Sequence, residues 1–363
     1  MSKKVVHVLG AMNAGGVEAW LMTLLRNTDK GLIDHEFIVH HKEKAFYDDE
    51  IYSLGSQIYY CPYSSNPLMY ALNLYRTFKK VNPDVVHSHV HAFSGLVLLI
   101  AYLSGINNRI SHCHSDTRFK EKNISFIRKL YFSLMKFLIS VFATIRIAVS
   151  SLAAENLYGI NWKTKKNCMV IPCGIDIGKY DPKYKNFKMR KDFGLPEDAF
   201  VIGHVGRFEE PKNHRFLIDV FYEFRKKNDK AYLVLVGDGT LKAEIEKKVA
   251  DLNLAPYVIF TGLRKDVPVI MLSVFDIFVF PSLWEGLGLV AVEAQLAGLI
   301  CIVSDKVPKE IDIGNSIFKV LEIKKWVEIL FNFKISPELD VDAGVFNINH
   351  NLRILSSIYL KGE

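Results

Sequence analysis

The stretch FDIFVFPSLWEGLGLVAVEAQLAGLICIVSD, Phe275 to Asp305, decides the fold. Phe275 to Phe280 is a short apolar run rich in β-favouring side chains, and Pro281, which has no N–H, ends ladder pairing there. Ser282 to Leu287 must then be a loop. Gly288 to Ala297 sets small and branched apolar residues at helical spacing, Gly298 supplies a helix stop, and Leu299 to Ser304 reads as a second buried strand. Strand, helix and strand make a βαβ unit with Glu285 in its loop and Glu293 in its helix. Both carboxylates therefore lie toward the carboxyl end of a parallel strand, where open α/β sheets bind ligands. A carboxylate in an apolar helix costs about several kcal/mol when unpartnered, or takes a shifted pKa. Two explanations stand: an internal salt bridge or wet helix end, or a site in which Glu293 accepts hydrogen bonds from the vicinal hydroxyls of a ribose while Glu285 reaches a sugar.

The same plan repeats outward. Strand-like runs at Lys4–Leu9, His35–His41, Gln57–Tyr60, Asp84–His89, Asn108–His114 and Thr144–Ser150 alternate with helical patterns, which predicts a parallel, doubly wound α/β sheet. Gly10 to Gly16 is a glycine loop before a helix from Val17 to about Thr28. It meets neither the Gly-x-Gly-x-x-Gly fingerprint nor a phosphate loop, because Val17 stands where the lysine would follow. Phe200–Val205, the strand in LVLVGDGTLKAEI and the strand VIFTG begin a second series. Arg207 and Lys212 flank a turn at the carboxyl end of the first of these, before a helix N-terminus, a favourable place for an anion. Val345 to Leu360 reads as a closing helix with Tyr359 buried.

Composition narrows the class. The 363 residues suit two domains, and 50% hydrophobic with 23% charged residues is a globular balance. Five cysteines without a Cys-x-x-Cys pair point to reduced thiols, not a disulfide framework or zinc site. The basic start MSKKVVHVLG has too short an apolar run for an export signal. Ile124–Ser150 is interrupted by Arg128, Lys129, Lys136 and Arg146, which argues against a spanning helix. A net charge of +7 favours an anionic ligand or surface, but the basic residues are too scattered for nucleic acid. His87, His89 and His91 in VVHSHVH, and His112 and His114 in ISHCHSD, suggest a metal site. Against that, alternate strand residues share a face only pairwise, and Cys113 points the opposite way, so no metal is expected.

The segment PSLWEGLGLVAVEAQLAG resembles the Glu-x7-Glu signature of glycosyltransferase family 4, retaining sugar-nucleotide transferases of the GT-B fold, and SDKVPKEIDI resembles the subgroup that builds bacterial capsular and exopolysaccharides. The resemblance implies two facing Rossmann-like domains with a C-terminal crossover helix. VIPCGIDIGKYD, with Cys173 replacing the usual Asn, resembles the family's interdomain linker. The expected domains are therefore 1–174 plus 346–363 on the acceptor side and 175–345 for the nucleotide sugar, with Lys179 to Pro196 as a charged linker. By resemblance Glu293 holds the nucleotide ribose, and Glu285 with Gly286 and Leu287 meets the transferred sugar. Arg207 and Lys212 in VGRFEEPKN neutralise the donor diphosphate, Gly15 and Gly16 let the backbone approach phosphate, the segment ending at Arg264 meets the nucleobase, and His114 lies near the donor sugar, with Asp116 either orienting it or meeting the acceptor. Relatives of this kind carry Pro where this chain has Gly288, a departure that loosens the loop.

The implied activity is retaining transfer of a hexosyl or N-acetylhexosaminyl group from a UDP-sugar to a glycan or lipid-linked acceptor in surface polysaccharide synthesis. No cofactor or metal is expected, since the one Asp-x-Asp, Asp340 to Asp342, falls in a polar late loop. A sugar-nucleotide epimerase of the same fold and a catalytically silent partner subunit are the rivals. The location expected is cytoplasmic, peripheral on the inner membrane face. Lys120 to Phe142, with Lys120, Lys122, Arg128, Lys129 and Lys136 among large apolar residues, reads either as a basic amphipathic helix on an anionic membrane or as a helix packed inside the first domain.

Overall fold

A computed structural model describes residues 2–64, 66–121, 124–332 and 342–362. The chain divides into two compact units, Met1–Asp176 with Gly344–Glu363, and Ile177–Ala343. In the first unit the strands are β1 (Lys3–Leu9), β2 (Ile33–Val39), β3 (Ile58–Tyr60), β4 (Val85–Ser88), β5 (Asn108–Cys113), β6 (Ile145–Ala148) and β7 (Cys168–Val170). They form a seven-stranded sheet in the order β3-β2-β1-β4-β5-β6-β7. In the second, β8 (Phe200–Val205), β9 (Ala231–Val236), β10 (Val258–Gly262), β11 (Ile277–Phe280), β12 (Cys301–Ser304) and β13 (Ser316–Lys319) form a six-stranded sheet in the order β10-β9-β8-β11-β12-β13. All paired strands are parallel. These are the two Rossmann-like sheets that the sequence pattern predicts. Strand order reverses between β1 and β4 and between β8 and β11, so each unit has a switch-point crevice beyond the carboxyl ends of those strands.

Apolar runs buried on both faces explain the parallel sheets. In the second unit Ile202, Leu233, Leu235, Ile277 and Val279 pack with Leu217, Phe221 and Phe224 of the helix His214–Arg225 and with Trp326 of the helix Ile323–Asn332. Lys179–Pro196 is not the free linker its charge suggested. Tyr180, Met189 and Leu195 are buried, and the Arg190 guanidinium donates to Asp276 at 2.6 Å and to the Val274 carbonyl at 3.0 Å. Pro182 opens the short turn Pro182–Tyr184, and Met189 and Leu195, between the two prolines, are buried within the second unit. Of the Asp340–Asp342 triplet, Asp340 and its neighbour Val341 lie outside the described residues.

The chain returns to the first unit through a short turn, Gly344–Phe346, and the helix Ile348–Lys361. Asn351, fully buried, accepts from Trp20 Nε1 at 3.1 Å and from the Gly174 N–H at 2.6 Å, and Tyr359 meets His87. One close approach shapes the surface of this unit. A Cβ on Gly95, in the helix Ser94–Leu103, would collide with the Met135 carbonyl of the helix Phe126–Phe142. Gly95→Val should therefore push those helices apart and destabilise the protein by about 1–3 kcal/mol, as overpacking does. A urea midpoint equal to that of the parent protein would refute this packing.

Candidate active site

The carboxyl ends of β8 and β11 gather most of the predicted donor-side residues of the second unit. β8 runs out through Gly206 to Arg207, whose side chain is exposed and makes no ion pair among the described residues. The loop is held from below: the Gly206 N–H donates to Val236 O, Phe208 N–H to Asp238 O and Gly237 N–H to Gly262 O, each at 2.9 Å. Gly237 has φ +138°, and a side chain there would strike the Gly206 carbonyl, so only glycine lets the two loops meet. Next, Lys212 closes a turn, Glu210–Lys212, and reaches back over the Phe280 ring with Nζ 4.8 Å from its centre. Its ammonium bonds Glu285 Oε1 at 2.6 Å in a largely buried pair. The two loops are stitched by Leu283 N–H to Pro211 O at 2.8 Å and by Asn213 Nδ2 to Pro281 O at 3.2 Å.

Gly286 and Leu287 follow Glu285 into the buried base of the loop. Gly288 then adopts φ +96° as the residue that opens the helix Leu289–Leu296. Proline, fixed near −65°, cannot take that conformation. The glycine thus makes a different turn, one that leaves both carboxylates in place. Glu293 lies in this helix, where burial pushes its carboxyl up to about 7, opposed by a hydrogen bond from Tyr180 and by the charges of Lys179 and Lys212. Arg264, beyond β10, is exposed and grips Asp266 through Nε at 2.8 Å and Nη2 at 2.6 Å. Two buried histidines escaped the sequence reading. His204 on β8 bonds the Val279 carbonyl at 2.8 Å, and the His214 ring lies across it at 4.8 Å; burial drives them down to about 4 and about 2. Their apolar strand and helix neighbours gave no signal of a paired site.

In the first unit Gly15 and Gly16 sit where β1 passes into the helix Gly16–Asn27, but the Glu18 carboxylate folds back against Gly15. His114 follows β5, and Asp116 does not orient it: Arg118 takes Asp116 Oδ1 through Nε at 3.0 Å and Oδ2 through Nη2 at 2.6 Å. The histidine pattern also differs from expectation. Pairwise spacing along one strand ignored the neighbouring strands, whose register aligns His7 with His87. As a result His7, His35, His87, His89, His112 and His114 share one face, and two triads, His7–His87–His89 and His89–His112–His114, bring ring nitrogens within 4.8 Å of one another. Burial keeps all of these imidazoles below the usual histidine range.

Residues 14–179 match the family model "Glycosyltransferase Family 4" and residues 185–313 match "Glycosyl transferases group 1". The protein named EpsF in Bacillus subtilis (strain 168) is 34% identical over 331 residues, 90% of this chain and 85% of that one. The chain belongs to the family 4 glycosyltransferases. The capsular polysaccharide biosynthesis glycosyltransferase CapH of Staphylococcus aureus is 31% identical over 98% of both chains. Among solved structures, Anabaena Alr3699/HepE in complex with UDP and glucose superposes with a TM-score of 0.75 at 18% identity, over 98% of this chain and 95% of that one, a likeness of fold. In this glycosyltransferase Arg207, Lys212, Glu285, Gly286, Leu287, Glu293 and Arg264 belong to the second unit, and Gly15, Gly16 and His114 to the first.

The Glu293 shift carries a stability consequence. Below about pH 4 the carboxyl is largely protonated folded and unfolded alike. Between its unfolded value of 4.5 and about 7 the folded state holds the proton more tightly, so stability falls as pH rises and stays lowered above pH 7. Glu293→Gln should therefore be more stable than the parent at pH 8, on the order of 2 kcal/mol, and equal to it near pH 4. Urea unfolding at both pH values checks this; a gap independent of pH would contradict it.

Proposed function

We propose that this glycosyltransferase moves a hexosyl or N-acetylhexosaminyl group from a UDP-sugar to a glycan or lipid-linked acceptor in surface polysaccharide synthesis, with retention of anomeric configuration. The observation that carries the donor side is the convergence of Arg207, Lys212 and Glu285 at the β8–β11 switch point. Breaking the anomeric C–O bond leaves negative charge on the diphosphate. An unengaged guanidinium fork and an ammonium already held over an aromatic face are pre-positioned donors for its oxygens. Lys212 would then be shared between phosphate and Glu285, which keeps the sugar-facing carboxylate beside the leaving group. Glu293, poised near neutrality, suits ribose hydroxyls, which donate to its charged form and lower its pKa on binding. By resemblance the candidates within the first unit are neutral His114 for a sugar hydroxyl and the Gly15–Gly16 turn for phosphate; within the second unit the Gly262–Arg264 segment takes the base. The charge of the diphosphate is met by Arg207 and Lys212 on this reading, without a metal.

The names of CapH and of the HepE complexes support polysaccharide synthesis and a UDP donor. A panel of sugar nucleotides with and without chelator, read by NMR of the product anomer, tests the whole reading. Acceptor-dependent transfer with retention, undiminished by chelator, is expected. Turnover without acceptor would point to epimerisation, and none with any donor to a silent subunit. Arg207→Ala should lower kcat/KM by about 10²–10³, the loss of one preorganised charged donor; an unchanged value removes Arg207 from the site.

A second reading concerns location. No described helix is long and apolar enough to cross a membrane. The helix Phe126–Phe142 nevertheless buries only Met135 and Ile139, while Phe126, Ile127, Leu130, Leu134, Phe137 and Val141 are more than half exposed. The alternative of a helix packed with only its basic residues outside does not describe that face. Within it Lys136 is engaged by Glu121 at 3.3 Å, and Lys122, counted in the sequence reading, lies outside the described residues. Arg128 and Lys129 remain exposed at its start. An apolar stripe flanked by two cations fits the interface of an anionic bilayer, each cation adding about 1 kcal/mol. Co-sedimentation with anionic vesicles at low salt, reduced by Leu130→Glu with Phe137→Glu, is expected. Equal failure of parent and variant to sediment would end this reading and leave the transferase assignment intact.

A further inference from the structure

The histidine cluster contains a continuous single file of hydrogen bonds. His114 Nε2 lies 2.8 Å from His89 Nδ1, His89 Nε2 lies 3.0 Å from His7 Nδ1, His7 Nε2 lies 2.8 Å from His35 Nδ1, and His35 Nε2 lies 3.1 Å from Thr28 Oγ1. Every link runs in the same sense, Nε2 to Nδ1. Thr28 follows the helix Gly16–Asn27, and its hydroxyl bonds the Leu24 carbonyl at 2.7 Å, one of the last carbonyls that the helix leaves without an intrahelical partner. A carbonyl only accepts, so the Thr28 proton is committed to it, and Thr28 Oγ1 must accept from His35 Nε2–H. A neutral imidazole has one N–H and one lone pair. His35 Nδ1 therefore accepts from His7, His7 Nδ1 from His89, and His89 Nδ1 from His114. Burial lowers His35 to about 4 and His114 to about 3, and His7 and His89 well below the usual range, which keeps the file neutral. At the far end the Cys173 sulfur lies 3.7 Å from His114 Nδ1, and burial raises that thiol so that it keeps its proton as a weak donor. Within this file every ring nitrogen has a partner.

We propose that Thr28, His35, His7 and His89 are positioning residues that fix the proton of His114 on Nε2, so that His114 Nδ1 is an acceptor and never a donor, met by the weak Cys173 thiol until a sugar hydroxyl takes that bond. The anchor is Thr28, roughly the length of four imidazoles from the group it controls. This rests on His114 meeting the donor sugar, but the tautomer itself is read without substrate. Full-length protein labelled with ¹⁵N-histidine gives the tautomer of each ring from its nitrogen shifts, with His114→Asn assigning the His114 signals. A neutral Nε2–H form of His114 at pH 6.5 is expected. Thr28→Val leaves His35 Nε2–H without its acceptor, and the file relieves this by reversing, which moves the His114 proton to Nδ1. In that variant kcat should fall about tenfold with KM little changed, while Thr28→Ser restores both spectrum and rate. A reversed tautomer with unchanged kcat would keep the relay and remove the sugar contact. A His114 that is charged or Nδ1–H in the parent protein overturns the proposal. So does a Thr28→Val spectrum identical to the parent's, or stoichiometric zinc with His89 Nδ1 and His114 Nε2 both unprotonated.

Discussion

Parallel pairing in register is the constraint from which the site follows. Because every paired strand of a sheet runs the same way, all carboxyl ends emerge at one edge, and the residues just beyond them are brought together however far apart they lie in sequence. Arg207 and Glu285 are 78 positions apart by numbering, yet they leave neighbouring strands whose register sets Ile277 beside Ile202. The same constraint in the first unit sets His7 beside His87, so side chains on one face of β1, β2, β4 and β5 form a continuous layer. One sheet edge thus holds cations and carboxylates, while the face of the other holds neutral rings.

Local chemistry then decides what each gathered group can do. Lys212 and Arg207 differ in this respect. The ammonium is fixed by Glu285 and by the Phe280 face, whereas the guanidinium is exposed and uncommitted. Arranged this way, the lysine carries orientation and the arginine carries unsatisfied donor capacity, a division that suits the fork geometry of the latter. Glu293 is the counterweight, a carboxyl whose buried surroundings disfavour charge.

Strand and helix existence was legible because each is a periodic signal repeated along the chain: Phe275–Phe280 and Leu299–Ser304 bracket a helix just as the pattern required. The Glu285–Glu293 spacing was legible for the same reason, being local. Contacts between strands were not. The histidine layer depends on the alignment of β1, β2, β4 and β5, and periodicity within one strand carries no information about its neighbours' register. Asp116 failed for a similar reason, since its nearest competitor, Arg118, is two residues away and forms a tighter fork than a histidine on a strand end can offer. His204 and His214 were hidden by apolar neighbours that made each look like an ordinary core position. The Lys179–Pro196 segment was misread because proline and charge report local backbone preference, while three well-spaced apolar side chains decided where it packs.

The second unit is, in chain topology, an insertion between residue 176 and residue 344 of the first. Asn351 joins Trp20 to the Gly174 backbone, and Ile175 exchanges hydrogen bonds with Phe346 and Ile348 across that insertion. During synthesis the sheet of the first unit emerges early but lacks the helix Ile348–Lys361, which covers Trp20 and His87, until the whole inserted unit has been made. The inserted unit, one continuous run of sequence from Ile177 to Ala343, can finish sooner. The order of maturation is therefore inverted relative to the order of translation, and the loop closed by the final helix makes the first unit the slow one.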